Sequence, residues 1–410
     1  MKTDAVVLGA GIVGVCVALH LQARGRSVVL IDRRGAAEET SYGNAGLIQR
    51  EGVYPYGFPH DFGALLRYGF NRTIDAHYHP SALLDLAPFL WKYWHHSRRE
   101  RHARIAKLYS RLIEHCVTEH DVLAAEAGAT DFLRRQGWMR VFRTERERDL
   151  RFAEAARWRA EFGINFSALN AKELQEKEPH LAPVLTGALH WTDPVSVIDP
   201  QGLALAYLKL FESRGGRFLQ GNAASLEQGW SVRTVEGKVE ATEVVVALGP
   251  WAEVVTRVLG YDLPLAVKRG YHMHYRAAGK AMLNHPILDT ERGYLVAPMK
   301  RGIRLTTGAE FALRDAIRTP VQLGRAEPIA RDLFPLAERL DNEPWMGARP
   351  CTPDMMPIIG KAPRHANLWF AFGHAHHGLT LGPVTGRLIG EMVAGEKPFV
   401  DPAPYRAERF

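Results

Sequence analysis

Residues 4 to 32, DAVVLGAGIVGVCVALHLQARGRSVVLID, constrain the fold of this chain more than any other stretch. An apolar run from Asp4 to Leu8 leads straight into Gly9-Ala10-Gly11-Ile12-Val13-Gly14, and Val15 to Ala23 then reads as a helix. A strand buried on both faces of a parallel sheet has this continuous apolar character. In that setting Gly9 permits a tight turn, Gly11 lets backbone approach a pyrophosphate, and Gly14 lets helix pack on strand; the helix N-terminus adds unpaired N–H groups and a positive dipole. A second strand, Ser27 to Ile31, ends at Asp32, where a carboxylate is placed to hold ribose hydroxyls. The stretch therefore specifies a dinucleotide fold. It does not separate NAD from FAD, because both carry adenosine and pyrophosphate.

Beyond Asp32, Arg33 and Arg34 lead into a loop, Glu38 to Gln49, whose Ser41, Asn44, Ala45, Gly46 and Leu47 are small or turn-forming enough to lie against a flat ligand. Residues 51 to 80, rich in Gly, Pro, Tyr and His, show little periodicity and read as an excursion from the nucleotide fold. Ser81 to Ala127 is predicted helical. Its Trp91, Tyr93 and Trp94, followed by Arg98, Arg99, Arg101 and Arg104, fit a core-packing helix with a solvated basic face better than a membrane-interface helix. Trp138 to Phe142 and Leu185 to Trp191 read as strands, and Glu145 to Glu161 and Asp199 to Arg214 as helices, the latter running into a short strand Arg217 to Gln220.

Ala241 to Ala252 then offers a strand, a glycine turn at Gly249 and a new helix, as though the chain returns to the sheet it left. Leu263 to Tyr275 and Pro286 to Gly308 alternate in the manner of an antiparallel sheet, and Val321 to Phe334 is helical. A third junction closes the chain, with strand Leu368 to Phe372, turn Gly373 to Gly378 and helix Leu379 to Ala394. The expected architecture is α/β combined with α+β. A Rossmann-like nucleotide-binding domain is discontinuous over 1–50, 197–262 and 346–410, and a substrate domain with an antiparallel sheet takes 51–196 and 263–345.

At 410 residues, 46% hydrophobic and 24% charged, the chain is long enough for two domains of ordinary globular composition. The start, MKTDAVV, has no charged leader and apolar core of a secretion signal, and no run approaches a membrane span, so a cytoplasmic protein is expected. Three scattered cysteines argue against a disulfide framework or a zinc site. A net charge of +7 fits solubility, acidic substrates or an anionic surface; no recognition module accompanies it, so nucleic acid is not expected as a partner.

Three glycine turns converging on one sheet suit a cofactor longer than NAD. The helix opening at Gly378-Leu379-Thr380 would point its positive end at the far ring, where a reduced flavin carries negative charge, which favours FAD. His374, His376 and His377 lack a carboxylate or cysteine at ligand spacing and are read as lining or hydrogen-bonding residues. Arg349, held extended by Pro350, suits a bidentate grip on a carboxylate, the alternative being an ion pair with Asp354. Arg269, Tyr271, His272 and Tyr294 fall in the antiparallel sheet, where each fits a pocket wall or plain packing equally well.

GAGIVG with Asp32, SYGNAGLI, ATEVVVALGPWA, GARPCTPDMMPIIG and GHAHHGLTLGPVTGRL together resemble the D-amino acid oxidase/dehydrogenase family, most of all its bacterial D-amino acid dehydrogenases. The likeness spans both ends of the chain and the middle junction. It implies FAD contacts at Gly9 to Gly14, Asp32, Arg33, Arg34, Ser41, Asn44 to Leu47, Ala223, Ala224, Gly249, Trp251, His374, Gly378, Leu379 and Thr380. Arg349 matches the carboxylate-binding arginine, and Tyr271, Tyr294 and His377 are the remaining catalytic candidates. Gly347 stands near where related sarcosine-type oxidases have a flavin-linking cysteine, so non-covalent FAD is expected.

The implied reaction is oxidative deamination of a D-amino acid, with electrons passed to an acceptor such as a quinone of the respiratory chain and peripheral contact with the inner face of the cell membrane. D-proline or cis-4-hydroxy-D-proline dehydrogenase, a glycine or sarcosine oxidase-like enzyme, a 2-hydroxy acid dehydrogenase and a flavin-binding electron-transfer protein stay open as alternatives.

Overall fold

The computed structural model describes residues 1–410. Its first layer is a seven-stranded sheet. Five strands run parallel in the spatial order Arg217–Glu227, Val28–Asp32, Lys2–Leu8, Gly237–Val246 and Leu368–Phe372, and Ile358–Lys361 closes one edge antiparallel. Ser231–Thr234 bridges the outer halves of Arg217–Glu227 and Gly237–Val246. The apolar runs VVL, VVLI, VVV and LWFAF become these strands because helices cover one face and an apolar layer fills the other. Helix Ile12–Gln22 crosses from the first strand to the second and packs along the C-terminal helix Gly378–Ala394. The two helices touch because a Cβ at Gly386 would stand 2.5 Å from the Cys16 carbonyl oxygen.

The second layer is an eleven-stranded mixed sheet built around the long strand Ala266–Ala277. Gly302–Thr306, Ala309–Phe311, Leu336–Arg339 and Trp345–Cys351 all pair antiparallel to that strand. The sheet continues through Tyr294–Met299, Ile287–Asp289, Trp138–Phe142, Gly187–Trp191 and Phe166–Asn170. Its own core of 22 buried residues includes Met273, Tyr275, Val296 and Leu305. A small sheet of Leu47–Ile48, Val195–Val197 and Leu133–Arg134 joins the two layers.

The expected division of the chain needs two corrections. Trp345–Cys351 belongs to the second sheet, with Lys268 opposite Arg349, so the return to the first sheet begins at Ile358 and not at 346. Helices Arg99–Ile113 and Cys116–Glu126, placed by sequence in the substrate part, pack on the C-terminal helix and share the largest core with the first layer. Their apolar stripe of Ile105, Tyr109, Leu112 and Leu123 has no other face to bury against.

Three local readings also change. The junction after Val246 is a 3-10 turn, Gly249–Trp251, and a one-turn helix, Glu253–Thr256, rather than a full helix. The stretch Ser81 to Ala127 breaks into Leu83–His96, Arg99–Ile113 and Cys116–Glu126 after a 3-10 turn at Pro80–Ala82. Within 51–80 lies a helix, Phe62–Gly69, capped by Asp61 accepting from the Ala64 N–H at 2.7 Å; none of its residues is buried.

Candidate active site

One long cavity of about 880 Å³ runs from the first glycine turn to the face of the second sheet. At the near end Gly9, Gly11, Ile12, Val13, Asp32 and Arg33 line it. Gly9 has φ +104°, and a Cβ at Gly14 would lie 1.8 Å from the Gly9 carbonyl oxygen, so the helix can sit this close to the strand only with glycine there. Ala10 and Gly14 are therefore part of the turn and not of the wall. The Asp32 carboxylate is fixed by the N–H groups of Ala10 (2.7 Å) and Arg34 (3.2 Å). No acidic residue occupies the first turn of helix Ile12–Gln22, which leaves its positive end for an anion.

Around this end Ser41 accepts from the Ile12 N–H at 3.0 Å, and Asn44, Ala45 and Leu47 line the wall. Ala223, Ala224, Gly249 and Trp251 complete it, the Arg33 guanidinium lying 4.4 Å over the Trp251 ring. Arg34 is outside: it is exposed and pairs with Glu39 at 3.2 Å. Gly46, at φ +74°, makes the turn that brings its neighbours in, its N–H donating to Asn44 Oδ1.

Further along, Gly378 and Leu379 present the start of the C-terminal helix, again without a side-chain cap or an acid in its first turn. Thr380 does not reach the cavity; its hydroxyl donates to the Leu47 carbonyl and accepts from the Gln49 N–H, tying that helix to the small sheet. The three histidines part company. His374 lines the wall but its Nε2 meets Thr385 Oγ1 at 2.9 Å, and burial pushes its pKa down to about 3. His377 turns away: its Nδ1 meets the Tyr109 hydroxyl at 2.8 Å beneath the helix, so it is no catalytic candidate. His376, its ring tilted 45° against that of Tyr56 with centroids 4.5 Å apart, is the one facing the substrate end.

At that end Arg349 lines the cavity. Its Nη1 donates to the carbonyls of Arg269 (3.3 Å) and Gly308 (3.2 Å), and the guanidinium lies over Gly270, where a Cβ would stand 2.4 Å from Nη2. Asp354 is not its partner, being held by Arg409 at 2.8 Å. Tyr271 and Tyr294 are among the wall residues, but their hydroxyls are engaged away from the cavity. The Tyr271 hydroxyl donates to Glu310 and accepts from Thr319 N–H and Arg269, and that of Tyr294 donates to the Ile329 carbonyl at 3.3 Å. Neither phenol is free to grip a substrate, which corrects their catalytic assignment. Arg269 is the buried partner of Glu310, and His272 stacks on Trp345 at 4.7 Å instead of lining the site.

Tyr56, Lys268, Arg140 and Gly270 join the substrate end without having been singled out as site residues. The one signal for Lys268 was its register, alternate with Gly270 on a strand. His77, His79 and Glu310 come together closely enough to hold a metal, but Glu310 is already neutralised by Arg269 at 2.6 Å, which an ion would have to displace.

A parallel sheet with a glycine turn and a ribose-ready acid, a second helix end at mid-cavity and a mixed sheet roofing the far end define a flavin-dependent oxidoreductase. The chain belongs to the DAO family, FAD dependent oxidoreductases, whose profile matches residues 4–392, and FAD is its cofactor. It is 28% identical to a D-amino-acid oxidase of Bradyrhizobium diazoefficiens, over 98% of both chains. It is 30% identical to D-amino acid dehydrogenase 2 of Mesorhizobium japonicum, over 97% of both. Its fold matches glycine oxidase from Geobacillus kaustophilus with a TM-score of 0.75 and 22% identity, covering 100% of this chain and 99% of that one.

Proposed function

We propose that this enzyme oxidises D-amino acids to imines, which water hydrolyses to keto acid and ammonia, and delivers the electrons to an acceptor other than oxygen. The observation that carries this reading is Arg349: a guanidinium lining the cavity, braced by two carbonyls and without an acid partner. Its free donors suit a bidentate bond to an α-carboxylate. The D configuration rests on the names of the curated relatives. When bound, FAD supplies the acceptor for the hydride that leaves the α-carbon.

The chain's own part is binding, orientation and proton management. Arg349 fixes the carboxylate and so the α-carbon, and the low-entropy grip supplies much of the rate. The positive charge of Arg349 and Lys268, facing each other across two strands, lowers the pKa of a bound ammonium. The amine can then lose its proton to solvent, and no side-chain base is needed. His376, kept neutral because burial and then the Arg349 and Lys268 charges hold its pKa well below the usual imidazole range, is available to accept a hydrogen bond from that amine. No cysteine lines the cavity, which supports non-covalent FAD.

The test is anaerobic mixing of the purified yellow holoprotein with D- and L-amino acids, D-proline, cis-4-hydroxy-D-proline, glycine, sarcosine and 2-hydroxy acids. Bleaching by D-amino acids and slow recovery in air are expected. Bleaching by hydroxy acids alone, or by no compound, would sink the proposal, and fast peroxide formation in air would make the enzyme an oxidase.

A membrane quinone as acceptor is supported by the cavity wall that Leu65 and Tyr68 of helix Phe62–Gly69 and Leu83 and Leu90 of helix Leu83–His96 line. No helix is long and apolar enough to cross a membrane. Yet Phe62 is 79% exposed, Leu84 88% and Trp91 66%, with Arg67, Lys92, Arg98 and Arg99 exposed beside them. Exposed apolar side chains flanked by cations suit an anionic lipid surface. The protein should therefore sediment with phosphatidylglycerol-containing vesicles but not with pure phosphatidylcholine, and Phe62→Asp with Leu84→Asp should abolish this. Equal sedimentation of both proteins would remove membrane contact through this face.

A further inference from the structure

The substrate end of the cavity carries three cations, Arg349, Lys268 and Arg140; the acid on the same wall, Asp75, accepts from the Tyr68 hydroxyl at 2.6 Å and is ion-paired with none of the three. Arg349 and Lys268 are paired directly across two antiparallel strands, so both side chains stand on one face. Like charges so placed repel, and burial strengthens the repulsion. Lys268, only 3% exposed, is only partly satisfied: its Nζ donates to the Tyr93 hydroxyl at 2.8 Å and lies 3.9 Å over that ring. Burial followed by the Arg349 charge lowers its pKa to about 8.

Arg140 is the least satisfied. It forms no hydrogen bond or ion pair, and its Nε is buried without any partner. The acids near it are engaged elsewhere. Glu147 and Glu154 hold Arg151 at 2.7 and 2.9 Å; Glu51 Oε1 accepts from Gln49 and from Trp138 Nε1, both at 2.9 Å, while its Oε2 is buried without a partner and makes no ion pair with Arg140. The Glu51 carboxyl is itself pushed up to about 7 by burial, so it is a weak counter-charge. Tyr56 lines the same cavity, and its hydroxyl feels the charges of both Arg140 and Arg349.

A substrate with one carboxylate and a neutral amine satisfies one cation and leaves two buried without an anion, an expensive arrangement. We infer that the preferred substrate carries a second carboxylate: the α-carboxylate sits on Arg349, and the second is held by Arg140 with Lys268 adding to the field. This rests on the reading of Arg349 given under Proposed function. The second carboxylate can stand on the side chain, as in D-aspartate or D-glutamate, or on the amine nitrogen.

The experiment compares kcat/KM of the holoenzyme for D-glutamate against D-glutamine and D-aspartate against D-asparagine, pairs of equal shape that differ in charge. A preference for the acid of at least about tenfold is expected. Iminodiacetate against sarcosine asks the same of a nitrogen-borne carboxylate, and a preference confined to one pair locates the group. In Arg140→Gln the acid-to-amide ratio should fall toward one through the KM of the acid, with partial return in Arg140→Lys. Binding is read without turnover by calorimetric titration with glutarate and with glutaramate, only the first of which should weaken in Arg140→Gln.

Equal rates for acid and amide, or an Arg140→Gln loss shared equally by both, would overturn the inference while D-alanine turnover keeps the parent reading. Failure of every amino acid to bleach the flavin would instead remove the parent reading.

Discussion

Replacing Arg349 by alanine lowers kcat/KM for the amino-acid substrate by about a thousandfold, most of it through KM. The guanidinium offers a pair of charge-assisted hydrogen bonds, each contributing roughly 1.5–3 kcal/mol, and about 4 kcal/mol corresponds to three powers of ten in rate. Flavin content per protein should not change, because Arg349 lies on the second sheet while the first sheet and its helix ends carry the dinucleotide turn. Arg349→Lys keeps the charge and loses the fork, so it should recover only part of the loss. Gly270→Ala is the independent arm: its Cβ would fall 2.4 Å from Arg349 Nη2 and push the guanidinium off the two carbonyls that brace it. A loss in the same direction, smaller than that of Arg349→Ala, is expected from steady-state kinetics. An unchanged KM in Arg349→Ala would remove this residue from the carboxylate role and the proposed orientation with it.

The parts of this site that were legible in the sequence are those set by local backbone demands. The turn Gly9 to Gly14, the strand Leu368–Phe372 and the helix opening at Gly378 could be read because buried parallel strands are apolar throughout and close backbone approach demands glycine. Arg349 stood out because Pro350 fixes its backbone. What was not legible depends on partners distant in sequence. That Trp345–Cys351 pairs with Ala266–Ala277, and so sets Arg349 opposite Lys268, is invisible along the chain.

Side-chain direction was equally hidden. Tyr271 and Tyr294 are at the cavity, yet their hydroxyls are drawn away by Arg269 with Glu310 and by the Ile329 carbonyl. His377 was chosen over His376, although the former is the residue that starts the helix and so turns under it toward Tyr109. The helix Phe62–Gly69 was missed because it buries nothing, and eight residues among Gly, Pro and His give a weak pattern.

Replacing Arg269 by alanine costs about 3–5 kcal/mol of folding stability, the range for leaving one partner of a buried pair alone. Arg269 and Glu310 are both 0% exposed, with Nε and Oε2 2.6 Å apart. The other guanidinium nitrogens donate to the carbonyls of Ala316 (2.6 Å) and Ile317 (2.8 Å) and to the Tyr271 hydroxyl (3.0 Å). Removing the side chain therefore leaves the Glu310 carboxylate without its counter-charge and several carbonyls without a donor. For a chain of this size the shift in Tm is about 5 °C, readable by thermal unfolding of the holoprotein.

Arg269→Met combined with Glu310→Leu removes both charges and should recover the part of the loss due to the unpaired carboxylate, while the carbonyls of Ala316 and Ile317 stay without a donor. A double variant as unstable as Arg269→Ala would show that packing, and not the stranded charge, sets the cost. The pair also bears on activity. It clamps the strand Ala309–Phe311 to Ala266–Ala277, and the carbonyls that brace Arg349 belong to Arg269 itself and to Gly308 beside that strand. The double variant should thus regain stability ahead of KM. Lys268 and Gly270, on either side of Arg269, line the cavity, so the ion pair anchors from the opposite face the strand that carries them.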